Sequence, residues 1–185
     1  MKRLMIYDAN PGDMSLNDRF LLLWWKIGGF IMKLFGRIDD MKGVRSWKEA
    51  ITWLNSHDEI SSIQFWGHGS PGAIWIGSDP LVSWKLDENW RMLSNKLLPG
   101  AVFWIRACSV FRGAIGKSIA ITLRDSLRCK VAGHVRIVGL IQPGLRTLSA
   151  GRSPIQWPQD PKREGWFPWD DRSVFCLRSS FPSNW

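Results

Sequence analysis

Apolar residues in this chain gather in short runs closed by turn-forming residues, and these runs alternate with stretches where apolar positions recur every three or four residues. Leu4-Met-Ile-Tyr7 is the first run; Asp8-Ala-Asn-Pro-Gly12 closes it, which predicts a strand and then a turn. Residues 15–36 read as helical. Ser46-Trp-Lys-Glu49 is a capping box, in which the serine oxygen accepts from the third amide and the glutamate reaches back to the cap amide. Trp47, Ala50, Ile51 and Leu54 follow at helical spacing, so a helix is predicted over 46–56. Ile60 to Trp66 reads as a strand ending at Gly67-His-Gly-Ser-Pro-Gly72, with Ala73-Ile-Trp-Ile76 folding back from that turn. A helix over 85–97 leads through Pro99-Gly100 into Ala101-Val-Phe-Trp-Ile105, an uninterrupted apolar strand of the kind buried on both faces. Ile115, Ile119, Leu123 and Leu127 then predict a helix over 114–127, and a strand over 130–138 follows.

Strands alternating with helices predict an α/β fold: a three-layer α/β/α sandwich whose sheet is mostly parallel, with right-handed crossovers placing helices on both faces. In such a sheet, function gathers at the carboxyl ends of the strands. From Pro143 to Trp169 the chain is rich in Pro, Gly and Trp without a period. Trp157, Trp166 and Trp169 argue for an ordered flap there, since aromatic rings need a surface to cover. Ser173 to Leu177 is the expected last strand. The chain reads as one domain over 1–185, with a core over 1–140, a long loop or flap over 141–172 and the last strand over 173–178.

Composition narrows the partners. The 185 residues suffice for one substantial core, and 45% hydrophobic with 22% charged residues describes a soluble globular chain. A net charge of +9 raises nucleic acid or an anionic membrane as a partner, but the cations are scattered, never more than two in a row across Arg106, Arg112, Lys117, Arg124, Arg128, Lys130 and Arg136. A generally basic surface is the simpler reading, and no nucleic acid is expected. Three cysteines, 108, 129 and 176, form no disulfide framework and point to a reducing, cytoplasmic setting. The N-terminus turns acidic at Asp8, too early for a signal peptide. Phe20 to Phe35 is the most membrane-like segment, interrupted by Lys26, Gly28-Gly29 and Lys33; it reads as a helix packed on the sheet, with a cationic interfacial helix making weak membrane contact as the alternative.

Several chemistries fail on spacing. The stretch "WIRACSVFRGAIGKS" (104–118) ends in Gly-Lys-Ser after a strand, but a phosphate-binding loop needs glycine at 111, where phenylalanine stands. Ser70 lacks the glycine at 68 that a nucleophile elbow requires. Cys129 and His134 are a single pair without the second pair of a structural zinc site.

One pair remains. His68 and Cys108 each follow the end of a predicted sheet strand, and adjacent parallel strands bring their carboxyl ends side by side, the placement a nucleophile and its base require. The Gly69 and Cys108 amides are then available to a developing oxyanion. Arg106, two residues before Cys108, shares its face and offers a guanidinium fork suited to a carboxylate, which predicts a preference for acidic groups. His134, at the end of the next strand, is expected at the same rim, as is Asp8, which is also the expected internal partner of Arg106 should that arginine not face substrate. The dyad needs no metal and no cofactor.

These segments, "SIQFWGHGSPG" and "VFWIRACSVFRG", with His and Cys 40 positions apart (108 minus 68), resemble the caspase-like cysteine peptidases, a superfamily that includes caspases, metacaspases, legumains and gingipains. Small bacterial caspase-like domains of unknown function are the nearest match, over roughly residues 1–140. The chain departs from the caspase pattern in having Arg106 in place of Gln and Ser109-Val110 in place of Arg-Gly, which excludes a close caspase relative. The resemblance implies a cysteine endopeptidase acting on protein or peptide through a His-Cys dyad. The alternative it also implies is an inactive member serving as an interaction module.

Overall fold

The computed structural model describes residues 1–10, 16–149, 157 and 173–178, with the side chains of the first helix described from Phe20 onward. Strand β1 (Lys2–Asp8) is followed by helix α1 (Leu16–Leu34), strand β2 (Asp40–Val44), helix α2 (Trp47–Asn55) and strand β3 (Ile60–Trp66). Three short strands come next, β4 (His68–Ser70), β5 (Ala73–Ile76) and β6 (Asp79–Leu81), then a 3-10 turn at Ser83–Lys85 and helix α3 (Glu88–Ser94). Strand β7 (Leu97–Arg106), helix α4 (Gly113–Leu127), strand β8 (Lys130–His134) and the short strands β9 (Ile141–Gln142), β10 (Leu145–Leu148) and β11 (Val174–Phe175) complete the order.

The result is a mixed α/β structure around a six-stranded sheet in the order β10-β8-β7-β3-β1-β2. All neighbours pair parallel except β10, which runs antiparallel to β8. Because side chains alternate across a strand, each strand feeds two cores. Leu4, Ile6, Phe65, Phe103 and Ile105 join Leu54 of α2, Leu93 of α3 and Ile119 and Leu123 of α4 in the larger core. Met5, Tyr7 and Trp66 point the other way, against Trp25 and Met32 of α1.

Helix α2 begins where the capping box predicts. Ser46 accepts from the Glu49 amide at 3.2 Å, but the Glu49 carboxylate reaches one residue further back than expected, to the Arg45 amide at 2.9 Å rather than that of Ser46. That amide bond holds the Glu49 carboxyl below its usual range. Helix α3 is shorter than the expected 85–97 because Asp87 caps it, accepting from the Asn89 amide at 3.0 Å. Helix α4 contains the whole Gly-Lys-Ser sequence. A Cβ at Gly116 would lie 2.3 Å from the Phe111 backbone, so this glycine serves close packing of helix on loop rather than a phosphate.

Other features differ from expectation. β2 and β6 have no counterpart in the sequence reading, and β9 and β10 lie inside the stretch expected to be a loop. β11 pairs antiparallel with β9 in a separate two-stranded ribbon instead of extending the main sheet. Of the three tryptophans of the expected flap, Trp157 stacks on Phe111 at 5.4 Å between ring centroids; Trp166 and Trp169 lie outside the described residues. Among the described residues, no helix is long and apolar enough to cross a membrane.

Candidate functional site

β3 and β7 are parallel neighbours, and their register pairs Trp66 with Arg106 at the carboxyl ends. His68 and Cys108 each stand two residues beyond that pair. Strands in a sheet are about 4.8 Å apart, so the two residues leave the sheet at one place on its rim. Chain contacts beyond the sheet keep them together. A Cβ built on Gly69 would lie 2.7 Å from the Cys108 carbonyl oxygen and 2.8 Å from the Ala107 Cβ, which means that the histidine strand runs directly against the cysteine loop. At the tip of the β4–β5 hairpin the Gly72 amide donates to the Val110 carbonyl at 3.0 Å.

The cysteine loop is held on its other side as well. Ser109 takes a left-handed conformation, φ 55°, which a non-glycine residue adopts at an energetic cost and which turns the chain sharply just after Cys108. Its amide donates to the Arg136 carbonyl at 2.8 Å, and the Phe111 amide donates to the His134 carbonyl at 3.0 Å, tying the loop to the chain leaving β8. Ala107 is fully buried in the larger core, so its neighbour Cys108 turns toward the α1 side. There the Val138 amide donates to the Cys108 sulfur at 3.4 Å. His68 is partly buried, with its ring edge-on to Trp25 of α1 at 5.3 Å.

The three thiols differ in access. Cys108 is partly exposed, whereas Cys129 and Cys176 are 6% and 1% exposed. Burial pushes the Cys129 thiol up to about 12 and raises that of Cys176, where the nearby Arg106 opposes the rise.

The remaining candidates lie elsewhere. Arg106 does share the Cys108 face, but it is 2% exposed and does not line an open pocket. Its guanidinium lies over the rings of Trp104 (3.7 Å to the centroid) and Trp66 (5.0 Å), and it donates to Gln142 Oε1 at 3.3 Å and to the carbonyls of Cys176 and Arg178. The segment 173–178 thus closes over it, and burial pulls its pKa down to about 9. An Arg106–Asp8 pair is not formed either, because the two side chains leave opposite faces of the sheet. Asp8 follows the Leu4–Ile6 side, is fully buried, and accepts from the amides of Asn10 and Gly77, both at 3.0 Å, fastening the β5–β6 turn to the end of β1. It is an anchor for the hairpin that carries His68, not a rim group open to substrate.

His134 stands on the strand beside β7, as expected, but it does not open onto the rim. It is fully buried; its Nδ1 donates to the Pro143 carbonyl at 2.9 Å, and its Nε2, 3.4 Å from Trp104 Nε1, accepts the indole N–H. The Pro143 oxygen can only accept, which assigns the proton to Nδ1. The expected strand over 130–138 stops at His134, so this residue is enclosed by the chain that turns away after it. Cys129 and His134 face opposite cores and do not form a pair. Two contributors had no local signal in the sequence. The Val138 amide is backbone, and the left-handed φ of Ser109 falls on a residue type that does not announce it.

A family model described as a domain of unknown function (DUF4347) matches residues 41–150, a span that contains β3, β7, His68 and Cys108 and leaves α1 outside. No curated protein matches the chain.

Proposed function

The chain belongs to the DUF4347 family, and we propose that it is a cysteine endopeptidase of the caspase-like type, built as a three-layer α/β/α sandwich and acting through His68 and Cys108. One observation carries this reading: the Trp66–Arg106 register brings the two residues out of neighbouring parallel strands at the same rim, with Gly69 pressed against the cysteine loop. The left-handed Ser109 supports it, since strained backbone next to a nucleophile is a recurrent feature of active sites.

The chemistry follows from the two side chains. His68 takes the thiol proton, and the Cys108 sulfur attacks the scissile carbonyl carbon, forming a C–S bond. The oxygen of the tetrahedral intermediate receives hydrogen bonds from the Gly69 and Cys108 amides. As the C–N bond breaks, His68 returns its proton to the leaving amine. His68 then deprotonates a water that attacks the thioester, releasing the acid and restoring the thiol. With Arg106 closed over by residues 173–178, the reading carries no preference for acidic residues.

A second reading, a non-catalytic interaction module, has its own observation: the cysteine sulfur is engaged by the Val138 amide and the imidazole rests against Trp25. A fluorogenic peptide library separates the two. The peptidase reading expects hydrolysis by the wild type and a loss of at least about 10²-fold in His68→Ala, the usual scale for a general acid–base. No hydrolysis of any library member by the wild type supports the module.

A further inference from the structure

Among the described residues, the outer face of α1 has no partner. Its inner face is settled: Trp25 and Met32 are buried against the sheet, and a Cβ on Gly29 would lie 2.7 Å from Met41 and 2.9 Å from Met5, so the helix presses closely on β1 and β2. The opposite face carries Phe20, Leu23, Trp24, Ile27, Phe30 and Leu34 at helical spacing, between 40% and 71% exposed. A helix packed on a sheet ordinarily turns a polar stripe outward. Here the stripe is apolar, contains three aromatic rings, and is flanked on one side by the exposed Lys26 and Lys33.

We infer that this face lies on an anionic lipid bilayer surface. Two considerations select that occupant over a second copy of the chain. The first is area: a 19-residue helix is about 28 Å long and the stripe about 10 Å wide, so two copies facing each other hide roughly 600 Å², about half of what stable specific interfaces bury. A bilayer needs no such complementarity, since the stripe sinks into the boundary between headgroups and acyl chains, where Trp and Phe favour the interface. The second is charge. Lys26 stands at the edge of the stripe with its head in solvent, where long cationic side chains reach lipid headgroups while their stems cover apolar surface. Lys33 shares its charge with Asp40 at 2.7 Å, so the local excess is small; the chain as a whole supplies +9. The face is separate from the His68–Cys108 rim in its chemistry, so it holds whether or not the chain is a peptidase.

Co-sedimentation of the full chain with vesicles of phosphatidylcholine, with and without phosphatidylserine, tests this directly. Wild type should partition to the serine-containing vesicles at least about tenfold better than to the neutral ones. Phe20→Ser/Trp24→Ser/Phe30→Ser, whose changes are all exposed and leave the sheet contacts intact, should lose about tenfold or more at unchanged circular dichroism. Lys26→Glu should weaken only the anionic arm. Absence of partitioning, or equal partitioning of wild type and triple variant, overturns the inference. So does a dimer in analytical centrifugation that the triple variant dissolves while neither protein binds vesicles.

Discussion

Cys108→Ala should remove peptide hydrolysis, by at least about 10³-fold in kcat/KM, while leaving unfolding free energy within about 1–2 kcal/mol of wild type. The two halves of this expectation have separate causes. Activity falls because the sulfur supplies the bond-forming electron pair. Stability is spared because the thiol is partly exposed and its polar contacts with Val138 are long ones, from the amide at 3.4 Å and to the carbonyl at 3.9 Å, so its removal opens no core cavity. The same substitution at Cys129, which is packed in the larger core among buried neighbours, removes a sulfur from an enclosed site and costs more. Initial rates on the best peptides of a library, read beside urea unfolding curves, check both halves. Full activity in Cys108→Ala contradicts the mechanism outright.

Gly69→Ala should be the most damaging small change at the site. The added methyl would stand 2.7 Å from the Cys108 carbonyl oxygen, 2.5 Å from Val110 Cγ2 and 2.8 Å from Ala107 Cβ, all closer than a methyl can approach. None of these neighbours yields easily: Ala107 and Val110 are fully buried, and the loop between them is tied to Arg136, His134 and Gly72 by backbone hydrogen bonds. The hairpin bearing His68 must therefore move away from the cysteine loop. Overpacking of this kind costs about 1–3 kcal/mol, and a displacement of about 1 Å between reacting groups lowers the rate by about 10²-fold. Urea midpoints and kcat/KM together measure it. A variant with wild-type stability and rate would mean that the two segments do not meet as closely as their contacts require.

The central strands are legible in the sequence because burial on both faces makes them rich in apolar residues: Ala101-Val-Phe-Trp-Ile105 is uninterrupted, and Ile60–Trp66 is broken only by Ser61, Ser62 and Gln64. The edge strands were not. β2 is Asp-Met-Lys-Gly-Val and β10 is Leu-Arg-Thr-Leu, each half polar because one side of an edge strand has no neighbour to pair with. At the site, chain order, the glycines around His68 and the strand ends placed His68 and Cys108 correctly at one rim. The same reasoning misplaced Asp8 and the role of Arg106. Strand order alone sets Asp8 at the Arg106 rim, but side-chain alternation puts it on the face of Leu4 and Ile6, where it accepts from the Gly77 amide. Arg106 shares the Cys108 face by alternation, but a sequence has no local mark for a segment some 70 residues later that lays its carbonyls over a guanidinium. His134 fails for a related reason: its indole and carbonyl partners come from β7 and from the turn before β10.

The most direct test of the central claim is the rate of alkylation of each cysteine by iodoacetamide at neutral pH, mapped by mass spectrometry in wild type and in His68→Ala. Cys129, with its thiol pushed up to about 12, and the buried Cys176 provide internal references for slow labelling. The account predicts that Cys108 labels far faster than either, and that His68→Ala slows it by about tenfold or more, since the proposed base that takes the thiol proton is then gone. Equal, slow labelling of all three cysteines, or a Cys108 rate that His68→Ala leaves unchanged, would contradict it.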